Sequence, residues 1–310
     1  PGLQGESISE QTLRFIAAAG VQAPSGDNCQ PWQLAINPGQ IDLWLDKDRD
    51  HSFFNIHQIA SIISCGAAVE NMRIAAGRLD LKTGLEPLPD PEDDAHMARL
   101  TFDAASGAGK ANPENALFQQ IWKRRTDRQF YSTTPVAPSH LEQIKTETQA
   151  AAGVRIHIIE DRKKIKQLGK MVFLADCIRS ENQSLHAHLN QMIRFTDQEA
   201  YETRDGFPIQ NLEAGVMGEV FLKSTRSWSV MNLLNKVGGS KLVALHSYQG
   251  MVRSSGIALI TTSGMDAAAF IQGGRGLQRA WLTLASLGLS MQPMTAITLF
   301  WLRWVLEGPG

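Results

Sequence analysis

The 310-residue chain lacks the features of a disulfide-rich, zinc-binding or nucleic-acid-binding protein. Its three cysteines, Cys29, Cys65 and Cys177, lie far apart without C-x-x-C spacing, which argues against a disulfide framework and against a zinc site. Its 30 basic and 31 acidic residues leave a formal net charge of -1, so nothing indicates a polyanion-binding surface. The composition therefore predicts no metal and no nucleic-acid partner, and it favours a small-molecule ligand in a reducing cytoplasm.

The sequence also has little that would indicate a leader or a membrane span. It begins Pro-Gly, with no basic region followed by an apolar run, so no signal peptide is expected. Apolar residues are frequent from Trp281 to Trp304, but polar and turn-forming residues between Ser286 and Thr295 interrupt them. A buried helix, a turn and a buried strand are expected there, and no membrane partner.

Side chains that would indicate a catalytic or metal site are also scarce. His186 and His188 are two positions apart in a predicted helix and therefore point to different faces, as ordinary surface histidines would. The glycines at 273–276 lack the G-x-G-x-x-G spacing of a dinucleotide site. No nucleophile, general acid or metal ligand is assigned.

Hydrophobic residues make up 43% of the chain and charged residues 20%, as in a packed globular protein. Ser7 and Glu10 have capping-box spacing and predict a first helix that ends near Ala19. Turn-forming residues at 23–32 predict an irregular loop. Periodicity then predicts, in order, a hairpin with its turn at residues 37–39, a long buried helix over 59–79 and extended structure near 100–102.

The polar residues at 104–115 are typical of a linker, and they divide the chain into halves at 1–110 and 111–310. The second half predicts a helix at 139–151, a strand at 154–158, a helix from Lys163, a strand at 257–262, a buried helix over 277–287 and a closing strand at 290–299. Residues 185–253 are helical in character and too long for a plain connection, so an inserted helical lid is expected. Both halves run helix, strand, helix, strand, which predicts an α+β fold.

Three motifs stand out along the chain. A-P-S-G-D-N-C-Q-P-W at 23–32, the Pro24 loop, resembles the P-S-x-x-N-x-Q-P-W loop of FMN-dependent nitroreductases. R-R-T-D-R at 124–128, the arginine segment, resembles their R-R-[ST]-x-R sequence, and G-L-Q-R-A-W-L at 276–282 with Q-P-M-T at 292–295 resembles their penultimate helix and the strand after it. In this order and spacing the motifs cover most of the chain.

The distribution of these motifs resembles the long, single-chain branch of the nitroreductase-like superfamily, which includes Acg-like proteins and domains associated with ThiF-like proteins. Ordinary members assemble each FMN site from the loop of one subunit and the arginines of another. Here the first half has the loop without the arginines, and the second half has the arginines without the loop. The resemblance implies an internally duplicated nitroreductase-like fold in which one chain mimics the usual dimer, and one FMN bound per monomer.

The chemistry of the motif residues fits a flavin mononucleotide. Guanidinium and hydroxyl groups suit its phosphate, and amide groups suit the polar edge of its ring. The alternatives without a ligand are a solvated helix face for the arginine segment and a structural turn for the Pro24 loop. The resemblance implies that FMN contacts Pro24, Ser25, Asn28, Gln30, Arg124, Arg125, Thr126, Arg128, Pro293, Met294, Thr295 and Ala296.

The sequence departs from the family at three places. Cys29 replaces a small hydroxyl residue, Thr295 and Ala296 replace the commoner Glu-Gly, and the basic C-terminal segment that helps to hold the phosphate is missing. These differences bear on FMN affinity and redox tuning more than on the position of the site.

The function implied by the resemblance is that of an NAD(P)H oxidoreductase. FMN would accept a hydride and pass electrons to a nitroaromatic, a quinone or a similar small-molecule acceptor. Two alternatives remain open: an FMN-binding or storage protein with little turnover, and a dehydrogenase that acts in peptide or protein modification beside a ThiF-like partner.

Overall fold

The computed structural model describes residues 8–104 and 114–308 and combines helices with strands, which confirms the α+β class. The helices are α1 (Glu10–Gly20), α2 (Ile59–Arg78), α3 (Asn115–Phe118), α4 (Pro138–Gln149), α5 (Arg162–Glu181), α6 (Gln183–Met192), α7 (Asp197–Thr203), α8 (Gly215–Ser224), α9 (Trp228–Asn235), α10 (Gly239–Val252), α11 (Ala267–Ser286) and α12 (Ala296–Glu307). The strands are β1 (Trp32–Asn37), β2 (Gln40–Leu45), β3 (Leu81–Pro87), β4 (His96–Ala104), β5 (Val154–Ile159), β6 (Ile193–Arg194), β7 (Phe207–Pro208) and β8 (Ile257–Thr262). Most of the expected linker, and the expected boundary after residue 110, lie outside the described residues.

The first half forms a four-stranded sheet in the order β1-β2-β4-β3, with every neighbouring pair antiparallel. The β1–β2 hairpin turns at Pro38 and Gly39, and Gly39 has φ 71°, which glycine adopts without strain. Ile41, Leu43 and Leu100 are completely buried in the core. The predicted hairpin, the strand near 100–102 and the long helix α2 are confirmed, whereas β3 was not predicted.

The first helix begins two residues later than the predicted capping box implies. Ser9 caps α1, and its Oγ accepts a hydrogen bond from the Thr12 amide at 3.2 Å. Ser7 lies outside the described residues. The cap prediction was therefore wrong by two positions, although α1 ends at Gly20, close to the predicted end.

Helix α2 has the length and composition of a membrane-spanning helix. Within Ile56–Arg78, a stretch of 18 residues has a mean hydropathy of 1.2, but 83% of that stretch is buried inside the fold. A core helix of this kind meets the same criterion without crossing a membrane. Its apolar character is explained by the strands and by α11, which pack around it.

The second half pairs β5 with β8 in an antiparallel ladder from Val154↔Thr262 to Ile159↔Ile257. Ile144 of α4, Ile156 of β5 and Ala280 of α11 form a buried cluster beside it. The predicted helix at 139–151, both strands and the helix over 277–287 are confirmed. Residues 160–256, which connect β5 to β8, contain α5 to α10 and confirm the helical character of 185–253.

The predicted closing strand at 290–299 is wrong. Residues 287–295 contain no strand, and α12 begins at Ala296. A continuous apolar run fits a strand and a helix equally well, and here the run extends to Leu306, which is long enough for three helical turns. The buried character expected for this segment is also wrong, because Trp301 and Trp304 are exposed.

Helices α2 and α11 approach so closely that each needs a glycine at the crossing. A Cβ on Gly66 would lie 2.9 Å from the carbonyl carbon of Ile271, and one on Gly274 would lie 2.8 Å from that of Ile63. Real Cβ atoms essentially never come within 3.0 Å of another atom in this way. The backbones of the two helices are therefore in direct contact.

The contacts between α2 and α11 are reciprocal. The same offset along the chain separates Gly66 from Gly274 and Ile63 from Ile271, so the contact of Gly66 with Ile271 is equivalent to the contact of Gly274 with Ile63. The same offset also relates Glu70 to Gln278 and Asn71 to Arg279. The contacts of these four residues are again reciprocal, because Glu70 binds Arg279 and Asn71 Oδ1 accepts a hydrogen bond from Gln278 Nε2 at 2.7 Å. Contacts of the type i to j and j to i are those of a two-fold interface.

A buried carboxylate joins the two central helices. Glu70 is completely buried, and it accepts hydrogen bonds at 2.8 Å from Arg275 Nε and Arg279 Nη1, and at 2.9 Å from Arg73 Nη2. Burial alone would raise the pKa of Glu70, but the three guanidinium groups outweigh it and lower this pKa to about 2.

The depressed pKa predicts an acid-sensitive interface. Glu70 contributes fully to stability above its unfolded pKa near 4.5, and the contribution is lost as the pH falls towards 2. The loss is expected to reach about 3 kcal/mol. Denaturant unfolding between pH 5 and pH 3 should therefore give a steeper fall in the free energy of unfolding for the wild type than for Glu70→Gln. The exposed Glu92→Gln is the control, and equal slopes in all three proteins would contradict the assignment.

Candidate functional site

The Pro24 loop follows α1 and has a backbone shape that its own hydrogen bonds fix. Asp27, Asn28 and Gln30 have φ of 47°, 56° and 52°, unusual for residues other than glycine. Ser25 Oγ accepts from the Gln30 amide at 3.0 Å, and the Cys29 amide donates to the Gly26 carbonyl at 2.9 Å. Backbone strain of this kind persists where the surroundings over-determine it, and it concentrates at functional sites.

The polar side chains of the Pro24 loop reach towards the helical segment between β5 and β8. Asn28 Nδ2 donates to the Gly206 carbonyl at 3.1 Å, and Gln30 Nε2 donates to the Arg204 carbonyl at 2.7 Å. Asp27 Oδ2 lies 3.2 Å from His188 Nε2. Pro24 and Ser25 are partly buried beneath these contacts.

Cys29 is a packing residue of this loop. Its thiol is buried, and burial, assisted by Asp50 and Asp27, raises its pKa to about 12. A thiol with this pKa stays protonated at neutral pH and is a poor nucleophile.

Arg124 lies in an environment that leaves its charge uncompensated. Its guanidinium stacks on the buried Trp281 ring at 4.5 Å from the centroid, and Nη2 donates to the Gln22 carbonyl at 3.5 Å. Within the described residues, Arg124 forms no ion pair, and its buried Nε has no hydrogen-bond partner. Burial lowers the pKa of Arg124 to about 10, so the group is still charged at neutral pH.

A cavity of about 240 Å³ adjoins Arg124. Lys123 and Arg125 add two further positive charges to its wall, while Asp127 adds one negative charge. The remaining lining residues are Gln120, Trp281, Ala285, Gly288, Leu289, Ser290 and Met291. The net charge of this wall is positive, and it suits an anion.

The other residues of the arginine segment differ in their surroundings. Arg125 is exposed, and Thr126 is partly buried. Arg128 points away from the cavity: Nη1 donates to the Asn211 carbonyl at 2.9 Å, and its guanidinium lies 5.0 Å from the Phe207 centroid. Its backbone amide donates to the Glu213 carboxylate. Burial lowers the pKa of Arg128 although Glu213 and Asp27 oppose the shift.

The third motif lies beside the arginine segment. The Asp127 amide donates to the Met291 carbonyl at 3.3 Å, and Ser290 Oγ donates to the Asp127 carboxylate at 2.8 Å. Pro293 and Met294 are partly buried in the irregular chain that leads to α12. Thr295 is the N-cap of α12 and Ala296 its first residue, and a first helical turn leaves its amide groups without intrahelical acceptors.

One chain brings all three motifs together. Arg124 reaches Gln22 at the edge of the Pro24 loop, Arg128 lies within electrostatic range of Asp27, and Asp127 binds Ser290. The sequence identified these segments but missed the role of Trp281 beneath Arg124 and the contacts of residues 204–213.

No group of three or more potential metal ligands occurs among the described residues. His186 and His188 face different surroundings, as predicted. The prediction that both lie at the surface is wrong for His186. It is buried against the Thr225 carbonyl at 2.9 Å, and burial lowers its pKa.

Comparison with known proteins gives three informative relatives from Mycobacterium tuberculosis. An uncharacterized protein of strain CDC 1551 is 26% identical over 94% of this chain and 40% of its own length. Acg of strain H37Rv, provisionally named an NAD(P)H nitroreductase, is 29% identical over 66% of this chain and 59% of its own length. Rv3131, with the same provisional name, is 31% identical over 41% of this chain and 36% of its own length. No protein-family model matches the chain.

These similarities support the resemblance to the nitroreductase-like superfamily and its Acg-like proteins. The matched regions span about half the length of the curated relatives.

Proposed function

We propose that the chain binds one FMN and acts as an NAD(P)H-dependent oxidoreductase. Arg124 carries this proposal, because a partly buried guanidinium that has neither a carboxylate partner nor a partner for its Nε among the described residues favours an anion beside it. A phosphate has the charge and the acceptor oxygens to satisfy it. The names of the relatives support the NAD(P)H-dependent activity.

The residues present fit the cofactor. The phosphate would be held by Arg124, Arg125 and Thr126, with Arg128 available after release from Asn211. The polar ring edge would meet the Pro24 loop, and the amides at the start of α12 would stabilise negative charge on the reduced ring. The proposed contact residues are Pro24, Ser25, Asn28, Gln30, Arg124, Arg125, Thr126, Arg128, Pro293, Met294, Thr295 and Ala296.

Bound FMN would supply hydride acceptance from NAD(P)H and electron delivery to a small-molecule acceptor. The protein contributes position and electrostatics. Arg124 neutralises the phosphate, Trp281 fixes the plane of the guanidinium, and the strained Pro24 loop presents its amides in one orientation. No general acid is assigned.

We further propose that the chain is internally duplicated. The common offset between the α2 and α11 contacts supports this reading. So does the order helix, strand, strand, helix, which α1, β1, β2 and α2 share with α4, β5, β8 and α11. In this scheme residues 160–256 replace the two-residue hairpin turn of the first half, so the proposed insertion is longer than 185–253.

The storage alternative has one observation in its favour. Asn28, Gln30 and Arg128 are all engaged by residues 204–213, which would restrict access of a second substrate. A role in protein modification beside a ThiF-like partner, and a cytoplasmic location, stay proposals drawn from the resemblance.

Absorbance spectroscopy tests the proposed function. Purified protein titrated with FMN at a concentration where it is monomeric is expected to bind one FMN per chain, since both motifs belong to one polypeptide. Stopped-flow mixing with NADH or NADPH should then bleach the flavin band. Reduction by dithionite without bleaching by either nucleotide would support storage instead, and no FMN binding would refute both readings.

A further inference from the structure

We propose that Asp127 is a positioning residue that sets the distance between the two ends of the cofactor site. This inference rests on the proposed function and concerns how that site is held together. The phosphate end is the arginine segment, and the ring end is the start of α12 at Thr295 and Ala296. Asp127 belongs to the first end and binds the chain that leads to the second.

All the polar groups of Asp127 are engaged. Its amide donates to the Met291 carbonyl at 3.3 Å, and its carboxylate accepts hydrogen bonds from Ser290 Oγ at 2.8 Å and from the Gln129 amide at 3.1 Å. Its backbone carbonyl accepts a hydrogen bond from the Tyr131 hydroxyl. Two of these contacts lie within and just after the arginine segment, and the other two reach the chain before α12. The carboxylate is therefore held from both sides.

Asp127 links two segments that are otherwise independent of each other in their hydrogen bonding. In the described parts of the chain, only Asp127 forms hydrogen bonds that join the arginine segment to residues 287–295. Those residues contain no helix or strand, and Thr295 has no side-chain hydrogen bond that caps α12. The position of the first turn of α12 relative to the arginine segment therefore depends on Asp127.

The start of α12 would influence the chemistry of the ring. The first amides of a helix have no intrahelical acceptors, and they lie at the positive end of the helix dipole. Directed at the ring, they would stabilise the negative charge of its reduced form and so raise the reduction potential of bound FMN. Because this electrostatic effect depends on distance, a displacement of these amides would lower the potential.

Two substitutions of Asp127 separate position from charge. Asparagine can keep both side-chain hydrogen bonds, because its Oδ1 can accept from the Gln129 amide and its Nδ2 can donate to Ser290 Oγ. Alanine loses both. We expect Asp127→Ala to raise the Kd for FMN about tenfold and to lower the reduction potential of bound FMN.

Asp127→Asn should rescue both properties. It should bind FMN at least as tightly as the wild type, because it removes a negative charge from the wall of the cavity that adjoins Arg124. The reduction potential should stay near that of the wild type. A role through charge alone would instead move the alanine and asparagine variants in the same direction.

Ser290→Ala breaks the same link from the other side, and it should lower the potential as Asp127→Ala does. Gln129→Ala is the matched control and should behave as the wild type. Gln129 is exposed and binds Asp127 through its backbone amide, which alanine retains. Equilibrium reduction against a reference dye measures the potential, and denaturant unfolding of the unliganded proteins shows whether each variant is folded.

The possible results distinguish this role from the proposed function itself. Equal shifts for Asp127→Ala and Asp127→Asn would overturn the positioning role while the proposed function stands. So would a wild-type potential in both Asp127→Ala and Ser290→Ala. Absence of FMN binding in every protein would overturn both.

Discussion

Arg124→Ala is expected to weaken FMN binding by about 1.5 to 3 kcal/mol, the range for a hydrogen bond to a charged group. This corresponds to an increase of about 10- to 150-fold in Kd. The physical reason is that Arg124 has neither an ion-pair partner nor a partner for Nε among the described residues, so the bound phosphate would be its main counter-charge. Titration of FMN fluorescence measures the change.

Two controls separate phosphate recognition from general damage. Riboflavin lacks the phosphate, and its affinity should respond much less to Arg124→Ala. The unliganded variant should unfold at the same denaturant concentration as the wild type or at a higher one, because the substitution removes a desolvated charge. Equal losses for FMN and riboflavin would mean that Arg124 does not touch the phosphate.

Gly274→Ala and Gly66→Ala are each expected to destabilise the fold by about 3 kcal/mol, at the upper end of the range for overpacking. The new methyl group would press against the main chain of Ile63 or Ile271, which cannot move aside as the tip of a side chain can. Both helices would have to separate along their shared contact. Denaturant unfolding should show the loss as a lower midpoint.

Gly250→Ala provides the matched control with the opposite sign. Gly250 lies within α10, and no atom approaches within 4 Å of a Cβ placed there. Alanine favours a helix by up to about 1 kcal/mol over glycine, so this variant should be slightly more stable than the wild type. A similar loss at all three glycines would contradict the close approach as the cause, because a methyl group at Gly250 meets no other atom.

The elements that the sequence predicted correctly are those with a strong local pattern. The turn at residues 37–39 follows from glycine geometry, and α2 and α4 follow from apolar residues at helical spacing. These signals depend on neighbours within one or two turns. The elements that they predict therefore do not depend on how the rest of the molecule packs.

The errors arose where a local pattern was ambiguous. The apolar run that forms α12 fits both a helix and a strand. The sequence predicted that this run is buried, but Trp301 and Trp304 are exposed. β3 alternates partly buried and exposed residues, as a strand does, but Gly84 in its middle weakens the strand signal in the sequence. Whether such a segment forms a helix or a strand depends on the residues that it packs against in the folded protein.

The motifs predicted which segments meet, but not what each side chain does there. Arg124 and Arg128 are four residues apart, yet Arg124 faces an open cavity and Arg128 binds the Asn211 carbonyl. This difference depends on Trp281 and Asn211, which lie far away in the sequence. No spacing rule within the arginine segment could distinguish them.

The long connection between β5 and β8 also has a consequence for biosynthesis. The β1–β2 hairpin can close as soon as it leaves the ribosome, whereas Val154 pairs with Thr262 only after the intervening hundred or so residues have been made. Helix α11 is synthesised later still, so the apolar helix α2 of the nascent chain has no α11 to pack against until then. During this interval the half-made protein is a natural client for chaperones that bind exposed apolar segments.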